Sequence, residues 1–249
     1  MDIIGIIPAR YQSERLPGKP LIDLAGKTMI ARTYEQVSKV AAFTELVVAT
    51  DDDRIYNEVI SFSGKVVMTN PNHCSGTDRC ADALQQLGYE PKNVIVVNIQ
   101  GDEPFVLPEQ IEELIHCFDN NEIEIATLIK EIEAENDLHD PNVVKVVKKD
   151  DNDALYFSRF AIPYKRNTSI NDIIYYRHIG MYAFRGNVLN RIVKLPVSSL
   201  ERAESLEQLR WLQAGYNIHT YTTHYETAFG IDTQEDVNKA IQYIQNHNL

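Results

Sequence analysis

Short apolar runs and helical periodicity alternate through the first half of the chain. Ile3 to Ile7 is a continuous apolar run that stops at Pro8, which predicts a buried parallel strand running into a stiffened loop. Met29, Ile30, Tyr34 and Val37 then recur at helical spacing within Lys27 to Val40. Leu46 to Thr50 predicts a second strand, and Ile55, Val59 and Phe62 a helix that Gly64 ends. Lys65 to Met68 predicts a third strand, and Cys80 to Leu87 a helix behind a polar, turn-rich stretch. Asn93 to Asn98 is the most apolar strand and so belongs at the sheet centre. Pro108 opens a helix that turns Ile111, Leu114, Ile115 and Phe118 inward, and Ile125 to Ile129 is another strand. This order predicts an α/β fold: a Rossmann-like, doubly wound, mostly parallel sheet with helices on both faces.

The rhythm breaks between about residues 131 and 195. Val143–Val147 and Ala154–Phe157 flank the polar turn Lys148–Asp153 as a candidate hairpin, and Tyr175–Tyr182 is strand-like. This predicts a small mixed-β insertion within a single domain spanning residues 1–249. Ser198 to Leu212 carries one strong amphipathic pattern and is expected as one helix. Ile218 to Thr222 predicts a strand, and Gln234 to Asn246 a final helix.

Charge changes the picture at one place. With 24 Lys and Arg against 36 Asp and Glu the chain carries −12, which disfavours nucleic acid and anionic membrane as partners. A small anionic ligand therefore needs a local positive pocket. Gly5 to Pro20 offers one: Arg10, Arg15 and Lys19 lie in a loop stiffened by Pro8, Pro17 and Pro20, with Gly18 as its flexible point. In an open α/β sheet, ligands bind beyond the carboxyl ends of the strands, where this loop falls. The three cysteines fit neither a disulfide framework nor a zinc spacing. The first residues have no basic stretch and no long apolar segment, so a cytoplasmic protein is expected.

Several polar positions admit both a structural and a chemical role. Asp51, Asp52 and Asp53 can cap the second helix or hold a metal, and capping is preferred because the helical pattern starts at once. Ser75, Gly76 and Thr77 can form an ordinary N-cap or present hydroxyls and N–H groups to a base or phosphate. Asp102 follows the central strand, where a carboxylate can hold a hard cation against phosphates, while Glu103 should point elsewhere. Asp232 precedes the last helix and can cap it. Arg159 and His178 supply the cation and mixed donor that an acidic, hydroxylated ligand requires. No G-x-G-x-x-G follows the first strand, which removes support for a dinucleotide-dependent dehydrogenase.

Five strings together resemble one family over nearly the whole chain. They are IPARYQSERLPGK from Ile7, HCSGTDR from His73, QGDEP from Gln100, RHIGMY from Arg177 and LEQLR from Leu206. They resemble the nucleotidyltransferases that make CMP-linked sugar acids, and the later strings resemble the CMP-Kdo synthetases (Kdo is 3-deoxy-manno-octulosonate). The resemblance implies transfer of CMP from CTP to Kdo, with release of pyrophosphate, for lipopolysaccharide biosynthesis. It implies nucleotide contacts from Ala9, Arg10, Lys19, Ser75, Gly76, Arg79 and Gln100. It further implies Mg²⁺ on Asp102 and Asp232, catalytic roles for Arg10, Lys19 and Asp102, and sugar contacts from Arg159, His178, Glu207 and Gln208. A homodimer is implied too, with the acceptor sugar and the dimer contact placed in the 131–195 region. Position 74 is Cys where Gln is frequent in this family, which puts a side-chain base contact there in doubt. The rival readings are a CMP-sialic acid or CMP-8-amino-Kdo synthetase, and a catalytically silent CTP-binding protein. The transfer reading requires Arg10, Lys19, Asp102 and Asp232, distant in sequence, to meet, whereas mere CTP binding does not need both carboxylates.

Overall fold

The computed structural model describes residues 1–12, 16–166, 173–226 and 230–247. Arg15 lies outside the described residues. Strands β1 (Asp2–Ala9), β2 (Glu45–Thr50), β3 (Val66–Met68) and β4 (Val94–Asn98) alternate with helices α1 (Met29–Val37), α2 (Asp53–Ser61) and α3 (Gly76–Leu87). α4 (Pro108–His116), β5 (Ile125–Glu131), the short α5 (Glu135–His139), β6 (Lys145–Lys148), β7 (Ala154–Ser158) and β8 (Tyr176–Arg185) follow. The chain continues through α6 (Gly186–Ile192), α7 (Ser199–Glu204), α8 (Gln208–Gln213), β9 (His219–Thr222) and α9 (Gln234–His247).

The strands form one sheet in the order β3-β2-β1-β4-β8-β5-β9, with β6 and β7 paired beside β8. β4 stands at the middle of that order, where its apolar sequence puts it. β3, β2, β1 and β4 are mutually parallel; β8 is antiparallel to both β4 and β5, and β9 is parallel to β5. Most strands therefore share one direction. Of the segment expected to stand apart, β8 instead enters the sheet centre, because its alternate residues Met181, Ala183, Tyr182 and Phe184 are buried on the two faces. β6 and β7 form the expected hairpin, antiparallel from Lys145 opposite Ser158 to Lys148 opposite Ala154.

Apolar residues on the two sheet faces feed two cores. One takes Ile4, Ile6, Val96 and Phe184 against Leu84 of α3, Leu189 of α6 and Trp211 of α8. The other takes Ile7, Val48 and Val97 against Ile30 of α1, Val59 of α2 and Ile111 and Leu114 of α4. A third cluster holds α9 by Val237, Ala240 and Ile244 against Leu24, Met29 and Phe105. That cluster brings the end of the chain back to the segments following β1 and β4.

Two elements depart from the periodicity. α3 begins at Gly76, earlier than its apolar pattern, because Ser75 and Asp78 form a reciprocal capping box. Ser198–Leu212 is two helices, not one: Ser205 adopts a left-handed φ of 53°, which ends α7, and α8 starts at Gln208. Of the triple aspartate, Asp52 caps α2 by accepting from Arg54 N, and Asp51 pairs with Arg79.

Candidate active site

The carboxyl ends of β1 and β4 lie side by side, and the loops leaving them approach each other closely. A Cβ on Gly101 would sit 3.0 Å from the Pro8 carbonyl oxygen, so only glycine fits without displacement. The buried Thr33 hydroxyl bonds the Gly101 carbonyl at 3.2 Å from α1. On the other side Gly76, the first residue of α3, faces Pro8: a Cβ there would lie 3.2 Å from Pro8 Cγ.

These three loops enclose a cavity of about 490 Å³. Ala9, Arg10, Lys19, Ser75, Gly76, Arg79 and Gln100 all line it, together with Cys74, Asp102 and Asp232. Arg10 is exposed at this cavity. Arg79 is buried and committed, with Nη1 donating to Thr69 Oγ1 at 2.5 Å and Nη2 paired to Asp51 Oδ2 at 3.1 Å. It ties the loops after β2 and β3 to α3 and sets the cavity wall. Cys74 is an exposed thiol, whereas Cys80 and Cys117 are buried. Burial pushes the Cys117 thiol up to about 12 and Cys80 higher still, so both behave as small core residues.

Lys19 is the centre of the arrangement. Its ammonium donates to Asp102 Oδ2 at 2.6 Å and to Asp232 Oδ1 at 2.8 Å. Burial opposes its charge, but the two carboxylates outweigh that and hold its pKa above the ordinary lysine value. The two aspartates meet because Ile231 N donates to the Asp102 carbonyl at 3.1 Å, which seats the C-terminal segment on the Gly101–Pro104 loop. Asp232 does not cap α9. Thr233 and Asp236 do so, as Asp236 accepts from Thr233 N at 2.9 Å and Thr233 Oγ1 accepts from Asp236 N at 3.3 Å. The Asp232 carboxylate is thereby available to Lys19. Two carboxylates converging on one cationic nitrogen also form a site with the charge and oxygen donors that a hard divalent ion takes.

A second cavity, of about 600 Å³, shares Gln100, Asp102 and Asp232 with the first. Its far wall carries Asn142, Arg159, Arg177 and His178. Arg159 is held by carbonyls: Glu204 O at 2.7 Å, Pro141 O at 2.9 Å and Ser205 O at 3.3 Å. The left-handed Ser205 thus serves to present the Glu204 and Ser205 carbonyls. His178 Nε2 lies 3.0 Å from Thr127 Oγ1, and that hydroxyl is 2.7 Å from the Met181 carbonyl. A carbonyl can only accept, so the hydroxyl proton goes to Met181 and His178 Nε2 carries the hydrogen. Nδ1 is then an acceptor on a neutral ring, and burial lowers the His178 pKa to about 3. Half-buried Glu103 borders the same cavity; burial and the neighbouring Asp102 charge push its carboxyl up to about 8.

Glu207 and Gln208 line neither cavity. Glu207 accepts from Ser75 Oγ at 3.0 Å and Thr77 Oγ1 at 2.8 Å, behind the loop that carries Ser75. Burial raises its pKa against those two hydrogen bonds. Gln208 is buried, and its Nε2 finds no partner among the described residues. Sequence reasoning passed over Arg177, Asn142 and Thr127. Arg177 stands beside His178 in the quoted string, yet strict strand alternation would put it on the opposite face. Both nevertheless border the cavity, although their pairing with Lys130 and Ile129 is regular.

Residues 4–247 match the family profile described as cytidylyltransferase. The chain belongs to the cytidylyltransferase family. Two 3-deoxy-manno-octulosonate cytidylyltransferases are similar to this cytidylyltransferase over nearly their full lengths. That of Parabacteroides distasonis is 51% identical, covering 99% of each chain, and that of Cytophaga hutchinsonii is 52% identical, covering 95% of each. A solved CMP:2-keto-3-deoxy-manno-octonic acid synthetase complexed with CTP superposes with a TM-score of 0.92 at 42% identity, over 99% of this chain and 100% of that one. The family and the fold likeness make this cytidylyltransferase a nucleotidyltransferase enzyme with the α/β architecture described above.

Proposed function

We propose that this cytidylyltransferase joins CMP to Kdo, using CTP and releasing pyrophosphate, in the cytoplasm and for lipopolysaccharide biosynthesis. The observation that carries the reading is the wall shared by the two cavities, where Lys19 is gripped by Asp102 and Asp232 with Gln100 alongside. One cavity is lined by cations, hydroxyls and a helix N-terminus, which suits a triphosphate. The other presents Arg159, Arg177, Asn142 and the His178 acceptor, which suits an acid sugar with several hydroxyls. A transfer between the two ligands would take place at their junction.

The sugar's anomeric oxygen forms a bond to the CTP α-phosphorus, the bond from that phosphorus to the bridging oxygen breaks, and pyrophosphate leaves. The anomeric proton passes to solvent. Catalysis of this kind is mostly positioning and charge stabilisation. Arg10 and Lys19 neutralise the triphosphate and the departing pyrophosphate. Asp102 and Asp232 would hold Mg²⁺, in keeping with that ion's use of only one or two protein carboxylates beside phosphates. Bound there, Mg²⁺ supplies positive charge at the α-phosphate and lowers the pKa of the attacking hydroxyl. Lys19 lines the same cavity and would offer its ammonium to the phosphates. Ser75, Gly76 and Gln100 hold the nucleotide. His178 orients a sugar hydroxyl by accepting at Nδ1, while Glu207 does not reach the sugar cavity and instead holds the Ser75 and Thr77 hydroxyls behind the nucleotide cavity.

The deciding experiment is pyrophosphate release from CTP and the other nucleoside triphosphates, each with Kdo, 8-amino-Kdo and sialic acid, with and without Mg²⁺. Turnover with CTP, Kdo and Mg²⁺ is expected. Preference for another acid sugar would reassign the acceptor, and CTP binding without turnover by any of them would overturn the enzyme reading. We also propose a homodimer through the β7 segment, where Leu155, Phe160 and Tyr164 are exposed by 56%, 74% and 81%. Sedimentation should give twice the 28.4 kDa chain mass, and a monomer for Leu155→Asp; a monomeric wild type would exclude it.

A further inference from the structure

Lys145 is a fully buried lysine that the reaction does not use. It opens β6, and its Nζ donates to the carbonyls of Asp140 and Val143 at 2.8 and 2.5 Å. Burial lowers its pKa, so the fold bears the cost of enclosing this cation. A methionine would fill the same space without that cost. The carbonyls it binds belong to a segment whose other carbonyls hold the acceptor wall. Pro141 O accepts from Arg159 Nη1 at 2.9 Å, and Val144 O accepts from His178 N at 2.8 Å. In register, Lys145 lies opposite Ser158 on β7 and Arg177 on β8, the residues just before Arg159 and His178. Asn142, between the two carbonyls that Lys145 takes, lines the cavity itself.

We propose that Lys145 is a positioning residue of the acceptor site: it fixes residues 140–144 so that Arg159, His178 and Asn142 converge on the acid sugar. One buried cation gathers two carbonyls of a turn, and that turn then supplies acceptors to two side chains arriving from different strands. The assignment of the sugar to this cavity rests on the proposed function; the fixing of residues 140–144 does not.

The test uses Lys145→Met and Lys145→Gln in the full-length protein. In Lys145→Met, KM for Kdo should rise about 10- to 100-fold, since small misplacement of a binding group costs on that scale. KM for CTP should stay within about twofold, and cooperative unfolding should persist. Amide exchange should accelerate at residues 140–144 and at His178, with the amides of β1 and β4 unchanged. Lys145→Gln keeps a neutral donor and should fall between wild type and Lys145→Met; it carries the same readouts if the methionine variant does not fold. Unchanged KM for Kdo with wild-type exchange at residues 140–144 would overturn the proposal, as would equal rises in both KM values with exchange raised throughout the sheet. Should wild type fail to use Kdo, the proposed function is at fault, and the exchange measurement, which needs no substrate, still decides what Lys145 does.

Discussion

Asp102 is half-exposed and shares one ammonium with Asp232, so its carboxylate can be neutralised without disturbing the cores. Asp102→Asn should lower kcat about 10²- to 10³-fold, the usual cost of one electrostatic contact at a reacting centre, with an unchanged circular dichroism spectrum. Near-wild-type kcat would remove Asp102 from the reaction. His178 makes a pH prediction. Its pKa falls from the ordinary 6.5 to about 3, so between these values the unfolded chain binds a proton that the folded one refuses. The stability from keeping the ring neutral is complete above pH 6.5 and is lost as pH falls towards 3. Urea midpoints of wild type should therefore drop between pH 6.5 and 4 more steeply than those of His178→Gln, and parallel curves would contradict this. The residues readable from sequence, such as Arg10, Lys19 and Asp102, sit in loops after strands, where local pattern indicates position. Glu207, Thr127 and Lys145 were not readable in their roles, because each is defined by partners on other elements.

At the scale of elements, the strand–helix order was legible because a buried parallel strand and an amphipathic helix leave different periods in the chain. Their ends were not, because caps and tertiary contacts set them. The clearest case is the break between α7 and α8: the apolar period runs through it, yet the carbonyls of Glu204 and Ser205 turn aside to receive Arg159. α3 gives the complementary case, since Ser75 accepts from Asp78 N at 3.1 Å and donates to Glu207 at 3.0 Å. Ser75→Ala removes the cap and one of the two hydroxyls on a buried carboxylate. It should cost about 2 kcal/mol, the upper end for a lost N-cap. Thr77→Val removes only the other hydroxyl and spares the cap, so urea midpoints should rank wild type above Thr77→Val above Ser75→Ala. Equal midpoints for the two variants would mean that the cap contributes nothing.

Across the whole molecule, the site is where the chain's beginning, middle and end are tied together. The loop after β1 brings Lys19, the loop after β4 brings Asp102, and α9, packed on Leu24 and Phe105, delivers Asp232. On a chain of net charge −12, two carboxylates placed this close need a cation, and Lys19 is the one the fold provides. Lys19→Met leaves the pair facing each other with their repulsion unscreened, so its melting temperature should fall below that of wild type. The same vacancy suits Mg²⁺, which in wild type must compete with the ammonium for both carboxylates. A ligand that binds only the folded state raises stability in proportion to RT ln(1 + [L]/Kd), so relief from that competition is read directly as a larger shift. Millimolar Mg²⁺ should therefore raise the melting temperature of Lys19→Met more than that of wild type, and should do little for Lys19→Met combined with Asp102→Asn. If Mg²⁺ shifted all three proteins equally, the ion would be binding elsewhere, and Asp102 and Asp232 would no longer stand as its ligands.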